Sequence, residues 1–232
     1  MNNGMTMPDT HDINNIGFTL IELLVAMAIT TIVSAGIFSA YRSQQNAQLA
    51  QKQIVEMQQN LRAALYIMTI DIMKAGYDPN GTNQAGITMA GNGSNGQPFG
   101  FTFFQLADSD GIDNNGNGII DEPGELKLQA VNYDLYDAYG DGDSDLGRKL
   151  GSGNRQVIAE NIMKPSTIAP VVAPLFQYLD KNGNITTIIP DIRAVKISIT
   201  TTTDTNEIDY TKGNNRRTLT TVVKCRNLGL QG

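Results

Sequence analysis

FTLIELLVAMAITTIVSAGIFSAY, residues 18–41, is a run of 24 residues with one charge, Glu22, and no proline. Coiled as an α-helix at ~1.5 Å per residue it reaches about 36 Å, enough to cross the hydrocarbon layer of a bilayer. A buried core helix is the plain alternative, but a domain of this size seldom offers apolar neighbours on every side of so long a helix. The expectation is a membrane-inserted helix, and Glu22 is its informative residue. An unpaired carboxylate deep in lipid costs about 2.5–3.5 kcal/mol on insertion scales and usually has a cation at the same depth. The segment does not read as a conventional secretory signal. Residues 1–17 contain no Lys or Arg, and Glu22 interrupts the short apolar stretch that such a signal needs.

Beyond Tyr41 the chain turns polar but keeps a helical period. Leu49, Ile54, Met57, Leu61, Leu65, Met68 and Ile72 recur at spacings dominated by three and four, which makes one apolar stripe. The pattern stops at Ala75-Gly76-Tyr77-Asp78-Pro79, where Gly76 suits a helix C-terminus and Pro79 blocks continuation. One helix over 18–75 is predicted, apolar in 18–41 and amphipathic in 42–76. The remainder, 77–232, reads as strands between turns at 100–106, 125–131, 157–162, 175–179, 194–202 and 218–226. Val195, Ile197 and Ile199 alternate with Lys196 and Ser198, while Leu219, Val223 and Cys225 share one face of the last strand, so Cys225 reads as a core side chain. Asp180-Lys181-Asn182-Gly183-Asn184 is expected to form a hairpin turn, and Arg216-Arg217 a solvated strand start. The fold class is therefore α+β, a long N-terminal helix packed on an antiparallel β-sheet domain.

The stretch Gly17-Phe18-Thr19-Leu20-Ile21-Glu22-Leu23-Leu24-Val25 resembles the processing motif of type IV prepilins and type II secretion pseudopilins. That resemblance implies a type IV pilin-like fold with a leader at 1–17, cut after Gly17 by a membrane-embedded prepilin peptidase that N-methylates Phe18. The methylated amine stays cationic. In a bundle of such helices Glu22 can pair with the Phe18 amine of an adjacent subunit, which turns a costly intramembrane charge into an assembly contact.

Further stretches are similar to PilW-type minor pilins, a group related to GspJ-like pseudopilins: residues 59–65, 71–77, 159–162, 176–180 and 226–228. The likeness skips 81–153, which resembles an insertion of the variable kind. It implies a minor pilin, a structural subunit that helps initiate or cap a type IV pilus with other pilins and minor pilins as partners. The chain would span the inner membrane once, in contact with its lipid, before entering a pilus outside the cell or a periplasmic filament. Two alternatives are a type II secretion pseudopilin and a calcium-dependent surface adhesin on a pilin anchor.

Composition narrows the partners. The 232 residues carry a net charge of -6, with 23 Gly, 8 Pro and 41% hydrophobic residues, which describes one loop-rich domain plus an extra element. Nucleic acid is disfavoured, because phosphate binding needs a basic surface. The acidity is local: residues 108–145 contain 11 acidic side chains against one basic one, Lys127. The single cysteine, Cys225, rules out an intramolecular disulfide.

Within that acidic insertion, Asp113, Asn115, Asn117, Gly118 and Asp121 match positions 1, 3, 5, 6 and 9 of the DxDxDG calcium loop. Position 12 is Gly124 rather than Glu, although Glu122 and Glu125 lie close, and Asp108 or Asp110 could complete the oxygen shell. The expected metal set is Asp108, Asp110, Asp113, Asn115, Asn117, Asp121 and Glu122, with Ca2+ in a structural role. A second, weaker set is Asp141, Asp143 and Asp145 beside Asp137, where Leu146 stands in place of the sixth-position glycine. An acidic, solvated turn is the plain reading of either loop. No enzyme is expected: His11 is the only histidine and would leave with the leader, and no phosphate-binding glycine loop with a lysine is present.

Overall fold

The computed structural model describes residues 17–94, 96–107, 111–122, 124–168, 171–202 and 216–229. The expected leader residues 1–16, Asp108, Asp110 and residues 204–215 lie outside the described residues. The chain divides into two compact units, Met1–Leu49 and Ala50–Gly232, and the one long helix, α1 (Leu20–Lys74), contributes to both.

In the first unit every large apolar side chain from Leu20 to Tyr41 is at least half exposed. None of the most apolar 18-residue window is buried, and the helix is long and apolar enough to cross a membrane. Two of its hydroxyls are satisfied within the helix, since Thr30 and Thr31 donate to the carbonyls of Ala26 and Met27 at 2.7 and 2.8 Å. That removes the penalty of unpaired donors in an apolar surrounding.

In the second unit the stripe of α1 becomes core only from Leu61 onward. Leu61, Ala64, Met68, Ile72 and Ala75 are buried, Ile54 and Met57 are half-buried, and Leu49, expected in the same stripe, is exposed. The helix ends as expected at Gly76, whose φ of +77° favours glycine and whose N–H donates to Thr102 O at 3.0 Å.

The sheets are antiparallel throughout. Strands β1 (Ile87–Ala90), β2 (Phe99–Leu106), β3 (Leu126–Tyr136), β4 (Asp145–Leu150) and β5 (Arg155–Ala159) form a five-stranded meander in chain order. Strands β6 (Phe176–Leu179), β7 (Ala194–Thr201) and β8 (Arg217–Lys224) form a second sheet with β7 in the middle. Phe99, Phe101 and Phe103 alternate along β2 and all are buried, the period-two pattern of a strand facing a core. Phe99 lies 4.9 Å from Phe176 and 5.6 Å from Tyr178, ring centroid to centroid, so one aromatic cluster joins the two sheets. The Cys225 thiol is buried beside this core, which pushes its pKa up to about 12 and leaves it protonated and inert at neutral pH.

A buried polar link ties the helix to the meander. Tyr133 Oη and Arg148 Nε both donate to Asp71 Oδ2, at 2.6 and 2.7 Å. Lys74 Nζ lies 3.8 Å from the other Asp71 oxygen. Burial, and then the Asp71 charge, push the Tyr133 phenol far above its ordinary range, so it remains a hydrogen-bond donor.

Residues 81–153, which resemble a variable insertion in the sequence, supply β1–β4 and much of the core, including Tyr133 and Leu146. The acidity between 108 and 145 is divided over two hairpin connections with strand β3 between them. The turn at Asp180–Asn184 forms, with Asp180 N donating to Asn184 O at 2.9 Å, but its far arm is a single bridge at Ile185. Strand β6 pairs instead with β7, after a short 3-10 turn at Ile189–Asp191.

Candidate functional site

The first site is the start of α1. Phe18 precedes the helix and is 91% exposed. Thr19 is the N-cap. Its Oγ1 accepts from Glu22 N at 3.3 Å, while Glu22 Oε2 accepts both Thr19 N and Thr19 Oγ1 at 2.8 Å. This reciprocal arrangement is a capping box, which satisfies donors that a helix start otherwise leaves bare. The T-x-x-E spacing was readable in the sequence and predicts this second duty for Glu22. The carboxylate is thus held one turn from Phe18, exposed, in a segment whose other long side chains are apolar.

The second site is the 107–125 connection between β2 and β3, closed at its base by Ala107 N donating to Glu125 O at 2.8 Å. Asp113 organises its turn: Oδ1 accepts Gly116 N at 2.6 Å and Asn117 N at 3.2 Å, and Oδ2 accepts Gly118 N at 2.7 Å. The Gly118 N–H, with those of Gly116 and Asn117, holds the Asp113 carboxyl below the usual carboxylate range. Asn115 Nδ2 and Asn117 Nδ2 both donate to Glu122 Oε1 at 2.6 Å. Both Asp121 oxygens lie 3.1 Å from Gly111 N, which donates to them.

The structure therefore brings Asn115, Asn117 and Glu122 together, gives Asp113 the role of backbone organiser, and places Asp121 against Gly111 N. It also adds Glu125, which the ligand reading left outside the expected set. Among the described residues, no three His, Cys, Asp or Glu side chains converge closely enough to hold a metal ion.

The weaker set sits in the 137–144 connection between β3 and β4. Asp137 accepts Gly140 N and Gly142 N at 2.6 and 3.1 Å, and Asp141 Oδ1 accepts Asp143 N at 3.1 Å. Asp145 is buried at the start of β4, where Oδ2 accepts Ala138 N at 2.9 Å. These carboxylates shape a turn and do not face one another as a metal shell. The two loops occupy opposite ends of the 11-residue strand β3, so they cannot share an ion.

Comparison with known proteins bears on the first site. Residues 14–38 match the family model described as the prokaryotic N-terminal methylation motif, which spans Gly17, Phe18 and Glu22. The match supports a type IV prepilin- or pseudopilin-like protein, and the long apolar N-terminal helix with antiparallel sheets agrees with a pilin-like fold. No curated protein and no solved structure matches the chain.

Proposed function

We propose that this chain is a minor subunit of a type IV pilus that helps initiate or cap filament assembly. The observation that carries the reading is the bare, apolar start of α1 with Glu22 one turn from Phe18, inside a methylation motif. A helix with this surface needs lipid or sister helices around it, and a carboxylate in that surrounding needs a cation. After removal of 1–17 by a prepilin peptidase, the methylated Phe18 amine of a neighbouring subunit supplies one. Residues 18–41 then serve as the inner-membrane anchor before assembly and as filament core afterwards, with 42–76 and 77–232 as the amphipathic half and the pilin domain.

Intact-mass and N-terminal analysis of the protein from membranes and from sheared filaments tests this. The expected result is a chain beginning at methylated Phe18 in both fractions. A chain retaining residues 1–17 overturns the filament reading. Recovery with a secretion filament and never with sheared pili replaces the pilus by the pseudopilin alternative.

We further propose that the β2–β3 connection binds Ca2+ in a structural role. The support is its oxygen-rich, glycine-punctuated loop, with Asp108 and Asp110 as additional ligands from the sequence reading. A calcium-dependent adhesin would use the same loop. At free calcium about a hundredfold above Kd, binding stabilises the folded chain by about 2.7 kcal/mol. For a domain of this size that corresponds to a rise of roughly 5–10 °C in Tm relative to chelator. An unchanged Tm removes the structural ion.

A further inference from the structure

The second sheet ends in a bare edge. Strand β8 is paired on one side only, with β7, through eight consecutive register pairs and no bulge. The ladder decides which of its main-chain groups are left over. Ser198 N–H donates to Leu175 O on the β6 side, so the even-numbered residues of β7 face β6 and the odd-numbered ones face β8. Opposite those odd residues stand Arg217, Leu219, Thr221 and Val223. The N–H and C=O groups of Thr218, Thr220, Val222 and Lys224 therefore point away from β7, and all four residues are exposed. Among the described residues no group bonds to them from that side.

The other sheet edges are blunted. Strand β1 has 4 residues and a register break between Ile87 and Met89. Strand β5 has 5, and its pairing breaks between Leu146 and Gly147. Strand β6 has 4, and is covered by the bridge from Leu179 to Ile185 and by Thr186 N donating to Tyr178 O at 2.9 Å. Short strands, bulges and covering loops are the devices that keep an edge from pairing with another chain. Strand β8 uses none of them along residues 218–223, TLTTVV, which carry no charge, proline or glycine and are β-branched at every position but Leu219.

Charge selects what can pair there. Arg216 and Arg217 flank one end of the edge and Lys224 and Arg226 the other, and the described residues 216–229 contain no acidic side chain. Two copies of β8 meeting edge to edge bring basic ends together in either direction, which like-charge repulsion disfavours. We propose that the β8 edge receives an extended strand of a different protein subunit, uncharged in its middle and acidic at both ends, which joins the sheet as a fourth strand. Main-chain hydrogen bonds to Thr218, Thr220 and Val222 hold it, and its terminal carboxylates meet the basic ends and fix its register. The contact goes beyond the filament and calcium readings and depends on neither.

The test is the fluorescence anisotropy of a labelled peptide of alternating threonine and valine with glutamates at both ends, titrated with the full-length chain in detergent micelles. Saturable binding is expected, weakened at least about tenfold when lysines replace the glutamates. Thr220→Pro takes one outward N–H from the edge without touching the ladder to β7, and should also weaken binding at least about tenfold. Circular dichroism checks that this variant is folded. If it is not, the peptide N-methylated at two adjacent central residues, which lacks a donor on either of its edges, decides with wild-type protein by the same criterion. No saturable binding overturns the proposal, and so does binding that Thr220→Pro or N-methylation leaves unchanged. Equal binding of the glutamate and lysine peptides overturns the acidic partner. Dimerisation of the chain that Thr220→Pro abolishes puts a second copy on the edge instead. None of these outcomes bears on the processing of Gly17.

Discussion

Glu22→Ala is expected to lower incorporation of the protein into filaments on the order of a hundredfold while leaving its membrane insertion and its processing at Gly17 intact. Without the carboxylate, the cationic Phe18 amine of a neighbour enters the helical bundle unpaired. A charge in that setting costs about 2.5–3.5 kcal/mol, which lowers the incorporated fraction on the order of a hundredfold. The capping box makes a control necessary, because Glu22→Ala also removes the acceptor for Thr19 N. Thr19→Ala removes the Thr19 hydroxyl from the box, costs about 1 kcal/mol at the helix start, and retains Glu22. The ratio of sheared-filament to membrane protein for the two variants separates assembly from capping. Equal incorporation of Glu22→Ala and wild type would sink the charge-pair mechanism.

Asp71→Ala is expected to be the most damaging single substitution in the second unit, at about 3–5 kcal/mol. It strips the shared acceptor from Arg148 Nε and Tyr133 Oη, leaving a guanidinium and a phenol in a largely buried space. Arg148→Met in the same background removes the orphaned charge and should recover part of the loss, a coupling that independent sites would not show. Urea denaturation of the detergent-solubilised full chain measures both. A loss below about 1 kcal/mol for Asp71→Ala would mean that the pair is solvated in solution and carries little of the fold's stability.

The elements that sequence reasoning found and those it missed differ in where they keep their polar atoms. Helix α1 was readable to within two residues at each end because its apolar run, its stripe and its Gly76 stop all agree. Strand β7 was readable because Val195, Ile197 and Ile199 alternate cleanly. Strand β4, DLGRKL, was missed because Asp, Gly, Arg and Lys do not look like a strand in a core. They can occupy one only because Arg148 finds Asp71, 77 positions away in the chain, and Asp145 finds Ala138 N. The extension of β3 through 132–136 was missed for the same reason, since Asp134 is carried by an Arg155 contact of 2.7 Å. Glu125 was read as a strand start and as a carboxylate close to position 12 of the loop, but its burial was not foreseen. Its burial depends on closure of the connection, which no local pattern encodes.

The continuity of α1 has a mechanical side. Helix α1 runs without a break from Leu20 to Lys74, so the covalent connection between the two units is carried within one ladder of helical hydrogen bonds. The sheets are fastened to its far end by the Asp71–Arg148 pair, by Gly76 N on Thr102 O, and by Asn227 Nδ2 on Met73 O at 3.0 Å. Those fastenings sit within six residues of one another along the chain, at 71–76, and back onto buried side chains. The exposed turns around Leu49 are held by the helix's own hydrogen bonds, so under tension they are expected to open before either sheet does.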